Sequence, residues 1–277
     1  MADRALDLLF VDGDHSYCLL YTSKATLNNL CMASLFQVIE KKIKKKYRKL
    51  RVKFQKPLAI SPDEKRTKVH LGCGKDRLAG FVNIDCQPTP ATDRVLDLAF
   101  PDFEPSSIAL AFSHAFFEHM FRSARVPHLR QVCKGLVADG ACCYIGIPYF
   151  PNIAKLYVEG GPGSAGPKFD LANVYGYTHG SPEISGDPVK DPALWIGQLH
   201  KSLFDEEEMT GLLEEAGFGS QAIFSYANPG DTNEVPICMG FYAIKYVAPV
   251  EELRARALGF LQQFADRRIR MSTLQWL

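Results

Sequence analysis

The sequence predicts an α/β fold, a doubly wound, mostly parallel sheet with helical appendages at both ends of the chain. Three observations carry that expectation. Between residue 68 and about residue 247, short apolar runs of strand length alternate with stretches of helical periodicity. The first apolar run empties directly into Gly72-Cys73-Gly74, the kind of tight turn that lets a backbone approach a ligand closely. Near the other end, Asp205 three residues before Glu208 reads as a capping box, and Gly217 reads as the stop of the same helix.

Residues 1–67 form a lead-in. A short strand is expected at 7–10, a turn at Asp12-Gly13-Asp14, and a helix over 26–55 that is apolar early (Leu27, Leu30, Leu35, Val38, Ile39) and basic late. Pro57 and Ser61-Pro62-Asp63 end it. The main domain spans 68–247, with strands at 69–72, 81–85, 94–98 and 108–113. The fourth leads into a helix through Glu118 to Arg122. A helix at 126–136 is broken by Asp139-Gly140, and a strand at 141–147 is stopped by Pro148. After an insertion at 157–199 come the helix 206–216 and strands at 221–226 and 237–247. Residues 248–277 carry an amphipathic helix over 250–270, with Leu253, Leu258, Leu261 and Phe264 on one side.

Composition narrows the function classes. The 277 residues are 47% apolar and 23% charged, with a formal net charge of +1, too apolar for wholesale disorder. That balance hides an asymmetry: residues 41–56 hold ten basic side chains and no acid, so the rest of the chain carries −9. A whole-domain nucleic-acid footprint is excluded, and a basic helix able to rest weakly on an anionic membrane or contact RNA is not. No run approaches the roughly 18–20 apolar residues of a membrane span, and the first 17 residues do not read as a secretory signal. The eight cysteines (18, 31, 73, 86, 133, 142, 143 and 238) include no CxxC pair. Cys142 and Cys143, adjacent in a strand, point to opposite faces, so neither a disulfide nor a shared metal suits them. Free thiols in a reducing cytoplasm are the expectation.

The stretch KVHLGCGKDRLAGFVNID at 68–85 is the most informative. An acid at the tip of the second strand, Asp85, can accept both hydroxyls of a ribose. A dinucleotide would need a third glycine where Arg77 stands and an acid about 20 residues on. Asp85 follows Gly74 by only 11 residues, and no GxxxxGK[ST] phosphate loop is present. A nucleoside cofactor without a pyrophosphate fits better, which points to S-adenosylmethionine.

Five ordered stretches resemble the class I S-adenosylmethionine-dependent methyltransferases, within them a group with an LGCG…G(F/W)xNID pattern: LGCG at 71–74, GFVNID at 80–85, VLDL at 95–98, SHAFFEH at 113–119 and HKSLFDEEEMTGLLEEAGF at 200–218. The resemblance implies a Rossmann-like fold over about 68–246. It implies that Gly72, Cys73 and Gly74 flank the methionine portion, Asp85 the ribose, and Asp97 with Leu98 the adenine edge. Ser113 and His114 would stand near the transferable methyl. Two departures matter. His70 stands where such enzymes usually have Asp, Glu or Asn, and the link from Gly74 to Phe81 is too short for a crossover helix, so the first helix is expected to be vestigial. Residues 7–17 resemble the fourth-strand motif of another methyltransferase group. Without a glycine loop upstream they read as a remnant in which Asp12 and His15 lack partners, or as an added edge strand.

His114 and Glu118, four apart in an expected helix, form a candidate acid–base pair; a metal is not expected, because no third ligand falls at a recognisable spacing. Residues 157–199 hold eight Gly and five Pro, with Tyr157, Phe169, Tyr175, Tyr177 and Trp195. They read as an ordered lid over a small-molecule or glycan-like acceptor, hydrogen-bonding through Asp170, His179 and His200. His179 or His200 is the expected base. The alternatives are a catalytically inactive, methyltransferase-like module docking through its basic helix, and an NAD oxidoreductase. Homodimer formation is left open.

Overall fold

The computed structural model describes residues 66–163, 168–180, 196–229, 231, 235–265 and 267–277, together with two short strands at 5–7 and 20–22. The chain divides into two units, Met1–Gln55 and Lys56–Leu277. In the first, β1 (Ala5–Asp7) pairs antiparallel with β2 (Leu20–Thr22), Leu6 opposite Tyr21. β1 therefore begins two residues before the expected strand, and its partner is β2 rather than the edge of the main sheet. The expected turn at 12–14, the helix at 26–55 and the basic run at 41–56 lie outside the described residues.

The second unit is built on eight strands: β3 (Lys68–Leu71), β4 (Val82–Asp85), β5 (Arg94–Val95), β6 (Ile108–His114), β7 (Leu136–Pro148), β8 (Ser220–Ala227), β9 (Cys238–Ile244) and β10 (Arg270–Trp276). Their order is β10-β8-β9-β7-β6-β3-β4-β5. Pairings from β5 through β7 are parallel, whereas β9 runs antiparallel to both β7 and β8 and β10 antiparallel to β8. The chain starts at β3, winds outward to β5, then returns to β6 on the other side of β3. That reversal opens a crevice at the C-terminal ends of β3 and β6, where open α/β sheets bind ligands.

Strands β6 and β9 are apolar almost throughout, and β3 is buried along its whole length, because both faces are covered. One face packs against α1 (Arg122–Gly135) and, beyond α2 (Phe150–Glu159) and α3 (Leu171–His179), against α4 (Glu206–Ala216); Leu129, Val132, Met209 and Leu213 fill it. The other packs against α5 (Val250–Leu261) and a 3-10 turn at Gln262–Phe264, through Leu253, Phe260 and Phe264. Cys142 lies in the first of these cores and Cys143 in the second, as strand alternation requires. α4 starts and stops where expected: Asp205 accepts the Glu208 N–H at 2.8 Å, and Gly217 is left-handed at φ 96°. No membrane-crossing length of apolar helix occurs among the described residues.

Four expectations need correction. The helix after β6 does not form: β6 runs through His114, Ala115 is left-handed at φ 52°, and only a 3-10 turn, Phe117–His119, precedes α1. His114 and Glu118 are therefore not on one helical face. The third strand is only Arg94–Val95, leaving Asp97 and Leu98 beyond its end. Asp139-Gly140 does not interrupt β7; the pairing with β6 absorbs them as a register shift. The last helix stops at Leu261, and residues expected to extend it include the start of β10. The C-terminal segment is thus an integral edge of the sheet.

Between β3 and β4 there is no helix. Asn83, fully buried, does its work instead. Its Oδ1 accepts the Leu78 N–H at 2.8 Å and the His70 Nδ1–H at 3.2 Å. Its Nδ2 donates to Leu78 O, Phe81 O and Asp93 Oδ2 at 3.0–3.1 Å. One amide thus satisfies the backbone of a connection too short to satisfy itself.

Candidate functional site

The site begins at the last residue of β3. Gly72 and Gly74 are left-handed, at φ 66° and 51°, a region in which L side chains are strained. A Cβ on Gly72 would meet the Phe116 ring at 2.4 Å, whereas a Cβ on Gly74 would meet nothing within 4 Å. Gly72 is thus fixed by packing, and Gly74 faces open space. Asp85, at the tip of β4, closes the turn: its Oδ2 accepts the Gly74 N–H at 2.7 Å and its Oδ1 the Gln87 N–H at 2.9 Å. Cys73 is buried, its N–H bonded to Ile84 O at 3.1 Å, and burial pushes its thiol up to about 11. That thiol is no nucleophile at neutral pH.

Ser113 is buried at the tip of β6 and donates its hydroxyl to Leu71 O at 2.9 Å. It ties β6 to β3 directly beneath the glycine turn. Asp97 is exposed and accepts the Ala99 N–H at 2.9 Å. Leu98 turns into the core, where its carbonyl accepts His128 Nδ1–H at 2.6 Å while His128 Nε2 accepts the Tyr144 hydroxyl at 2.7 Å. Gly72, Cys73, Gly74, Asp85 and Ser113 therefore converge; Asp97 stands at the neighbouring strand end, and Leu98 supports it from below.

The three candidate bases do not form one group. His114 lies next to Gly146. Burial, then the positive charge of Arg268, then His70 hold it down to about 3. His179, exposed at the end of α3, stacks on Tyr175 at 4.6 Å and bonds through Nδ1 to the Thr178 hydroxyl at 2.8 Å. The His200 N–H donates to His179 O at 3.1 Å. His200 in turn meets His119, ring centroids 4.9 Å apart. Burial lowers both, His119 to about 4, and burial raises Glu118 to about 8. The spacing argument against a third ligand fails here: Glu118, His119 and His200 offer ligand atoms all within 4.8 Å of one another.

Distance in sequence hid that convergence. Residues 199–202 are stitched to the turn at 117–120. Lys201 N–H donates to Glu118 O at 2.8 Å, Lys201 Nζ to His119 O at 3.1 Å, and Ser202 Oγ to Met120 O at 3.1 Å. Arg268 also escaped the sequence reading. It pairs with Asp76 and lies over the rings of Phe112 and Phe264 at 5.7 and 5.6 Å, bringing a cation from the C-terminal segment to the foot of the glycine turn. Its only signal was the Arg-Arg-Ile-Arg run at 267–270.

The lid divides. Phe169 and Tyr177 fill a small core with Ile153, Leu156 and Ile237. Asp170 is the N-cap of α3, accepting the Asn173 N–H at 3.0 Å. Tyr157 and Tyr175 remain exposed, and Trp195 lies outside the described residues.

No family model and no curated protein matches the chain. Solved structures similar to it include a SAM-dependent methyltransferase from Thermotoga maritima, 13% identical over 65% of this chain and 82% of that one, with a TM-score of 0.39. Another, from Methanosarcina mazei, is 15% identical over 67% and 95%, with a TM-score of 0.41. A third is phosphoethanolamine N-methyltransferase 2 of Haemonchus contortus in complex with S-adenosyl-L-methionine, 12% identical over 66% of this chain and 50% of that chain, with a TM-score of 0.39. Likeness at TM-scores near 0.4 carries no weight for this chain's chemistry, which rests on strand order and the site residues.

Proposed function

We propose that the chain transfers a methyl group from S-adenosylmethionine to an oxygen of a small or glycan-like acceptor. The observation that carries this reading is the glycine turn at the switch point, left-handed at Gly72 and Gly74 and latched to Asp85 on the adjacent strand tip. The cofactor fits the residues present. Gly74 opens to free space, and each Asp85 oxygen accepts one backbone N–H, so each keeps a lone pair for a ribose hydroxyl.

When bound, S-adenosylmethionine supplies a methyl group on a cationic sulfur. The protein's part is alignment and proton handling. Gly74 would admit the methionine portion against bare backbone, and Gly72, packed on the Phe116 ring, holds the turn in shape. Asp85 would accept the two ribose hydroxyls, and Asp97 would meet the adenine edge. A bound cofactor would lie in the crevice between β3 and β6, and holding an acceptor in line with its methyl would supply much of the rate. The acceptor proton goes to a histidine. His114, held to about 3, is a poor base at neutral pH. His179 and His200 are the candidates we retain: the His200 Nδ1–H donates to Tyr177 O at 2.8 Å, leaving its Nε2 lone pair to accept.

Calorimetric titration of the full chain with S-adenosylmethionine tests the reading. One site per chain is expected, weakened about 100-fold in Asp85→Ala, as the loss of two charge-assisted hydrogen bonds requires. No heat with the intact protein would overturn it. Labelled methyl donor offered with extracted glycans and polar metabolites then tests the acceptor: label recovered as an oxygen ether supports the assignment, and label on nitrogen or carbon rejects it.

A further inference from the structure

We propose that Glu118, His119 and His200 form a binding site for one divalent metal ion of the zinc class, apart from the glycine turn. The three side chains bring one ring nitrogen from each histidine and one carboxylate oxygen within 4.8 Å of one another.

The hydrogen bonds around them are those a metal site requires. The Nδ1–H of His119 donates to Leu199 O at 3.2 Å, and the Nδ1–H of His200 donates to Tyr177 O at 2.8 Å. A carbonyl only accepts, so in each neutral ring the proton sits on Nδ1 and Nε2 carries a lone pair. A backbone carbonyl fixing the tautomer and aim of an imidazole is the outer shell that metal-binding histidines have. His119 Nε2 already stands 3.9 Å from Glu118 Oε1.

Glu118 supplies the independent pointer. It is 1% exposed, and its Oε2 has no hydrogen-bond partner among the described residues. A buried carboxyl oxygen left without a hydrogen-bond partner is costly, and a cation would satisfy it. The neighbouring ammonium of Lys201 is committed elsewhere, donating to the carbonyls of Ile196, Leu199 and His119 at 2.7, 3.2 and 3.1 Å. A bound divalent ion would satisfy the oxygen that no group among the described residues pairs with.

Ligand chemistry selects the ion. Two imidazoles and a carboxylate suit zinc and its neighbours, whereas magnesium and calcium take oxygen ligands throughout. Ligand bonds of about 2.0–2.2 Å place ligand atoms about 3.3 Å apart around a tetrahedral ion, so loading draws these three inward. Three protein ligands leave one position open, the pattern of catalytic rather than structural zinc sites. An acceptor oxygen in that position would lose its proton more easily, and His200, as a ligand, would leave the role of base to His179. This last step rests on the methyl-transfer reading; metal binding does not.

The test uses the full chain, stripped with a chelator and carrying Cys86→Ser to remove the thiol exposed among the described residues, together with Cys18→Ser and Cys31→Ser. Zinc and cobalt(II) are the probes, and neither cofactor nor acceptor is present. One zinc per chain is expected, competed against a chromophoric chelator. Affinity should drop on the order of 100-fold or more in His119→Ala and His200→Ala, and fall in Glu118→Gln. Cobalt in the otherwise unmodified chain should show ligand-field bands of a nitrogen and oxygen site without thiolate charge transfer, a readout that needs no folded variant. Absence of stoichiometric zinc, binding unchanged in the histidine variants, or thiolate bands would each overturn the proposal. Because no methyl donor is involved, failure here is distinct from failure of the methyl-transfer reading.

Discussion

The two halves of the sheet's C-terminal edge are held together in opposite ways. On the side of β3, β4 and β5, most of the shaping bonds are local: Gly74 to Asp85, Leu78 to Asn83, Asn83 to Asp93 and Arg77 to Asp93 join residues no more than 16 positions apart, and the Arg268 pair with Asp76, across 192 residues, is the exception. On the other side the bonds that dock residues 199–208 onto the turn at 117–125 are remote. His119 meets Leu199 across 80 residues, Arg125 meets Ser202 across 77 and Glu208 across 83. Closing a short loop costs less conformational entropy than closing a long one. The half around the glycine turn therefore assembles largely from its own sequence, while the half around His119 and His200 exists only once residues 199–208 dock. Damage to the first should cost global stability; damage to the second should leave the first intact.

The largest expected effect tests the local half at its centre. Asn83→Ala removes five side-chain hydrogen bonds and strands the buried polar groups of Leu78 and Phe81. A loss of about 4 kcal/mol is expected in chemical denaturation, as for other broken buried networks. A loss below about 1 kcal/mol would mean that the short crossover holds itself and that the contrast between the halves is wrong.

Two glycine substitutions come next. Gly72→Ala must displace the Phe116 ring and hold an alanine at φ 66°; about 2–4 kcal/mol of stability should go. Gly74→Ala meets no atom within 4 Å and should lose only about 1–2 kcal/mol from its left-handed backbone. Its larger effect should be on cofactor titration, since the new methyl enters the open side of the turn. Equal stability losses would contradict the packing difference between the two positions.

The same contrast explains what the sequence revealed. Strands β3, β4 and β6, the missing first helix, α4 with its caps, and the Gly72–Asp85 turn are all encoded within short windows, so pattern and spacing sufficed. Asn83 was part of the NID motif, although nothing in the motif says it wires the crossover. The convergence of His200 with Glu118 and His119 depends on a strap docking across 80 residues, which no local period reports. β10 was hidden for a related reason. Arg270–Trp276 follows a helical pattern whose apolar positions continue past the point where the helix stops, and only pairing with β8 makes it a strand.

A smaller effect belongs to the strap. Ser202 Oγ donates to Met120 O at 3.1 Å and accepts from Arg125, which also holds Glu208 at 2.9 Å. Ser202→Ala should lose about 1–2 kcal/mol, because Arg125 is buried and loses one of its two hydrogen-bond partners, keeping Glu208 and the Phe204 ring. Titration with S-adenosylhomocysteine should stay within about twofold of the unmodified chain (less than 0.5 kcal/mol), as expected for sites sharing no partners. A matched loss of cofactor affinity would show that the halves are coupled.

The smallest effect at neutral pH comes from His70, the one histidine inside the local half. Burial, then the charge of Arg268, lower it from 6.5 to about 4; the Asn83 bond and the carboxylates of Asp76 and Asp85 oppose them. Between those two values the unfolded chain takes up a proton that the folded chain refuses. Stability must therefore rise with pH through this window, be complete above 6.5, and be lost as pH falls toward 4. One such group contributes a slope of about 1.4 kcal/mol per pH unit at most. His128, buried and likewise held to about 4, adds a second slope of the same sign. His70→Gln should flatten the stability profile between pH 4 and 6.5 without moving its plateau much, since glutamine can still donate to Asn83 Oδ1. An unchanged slope in denaturation curves across that range would mean that His70 titrates normally in the folded protein, and that the local half is open to water at its base.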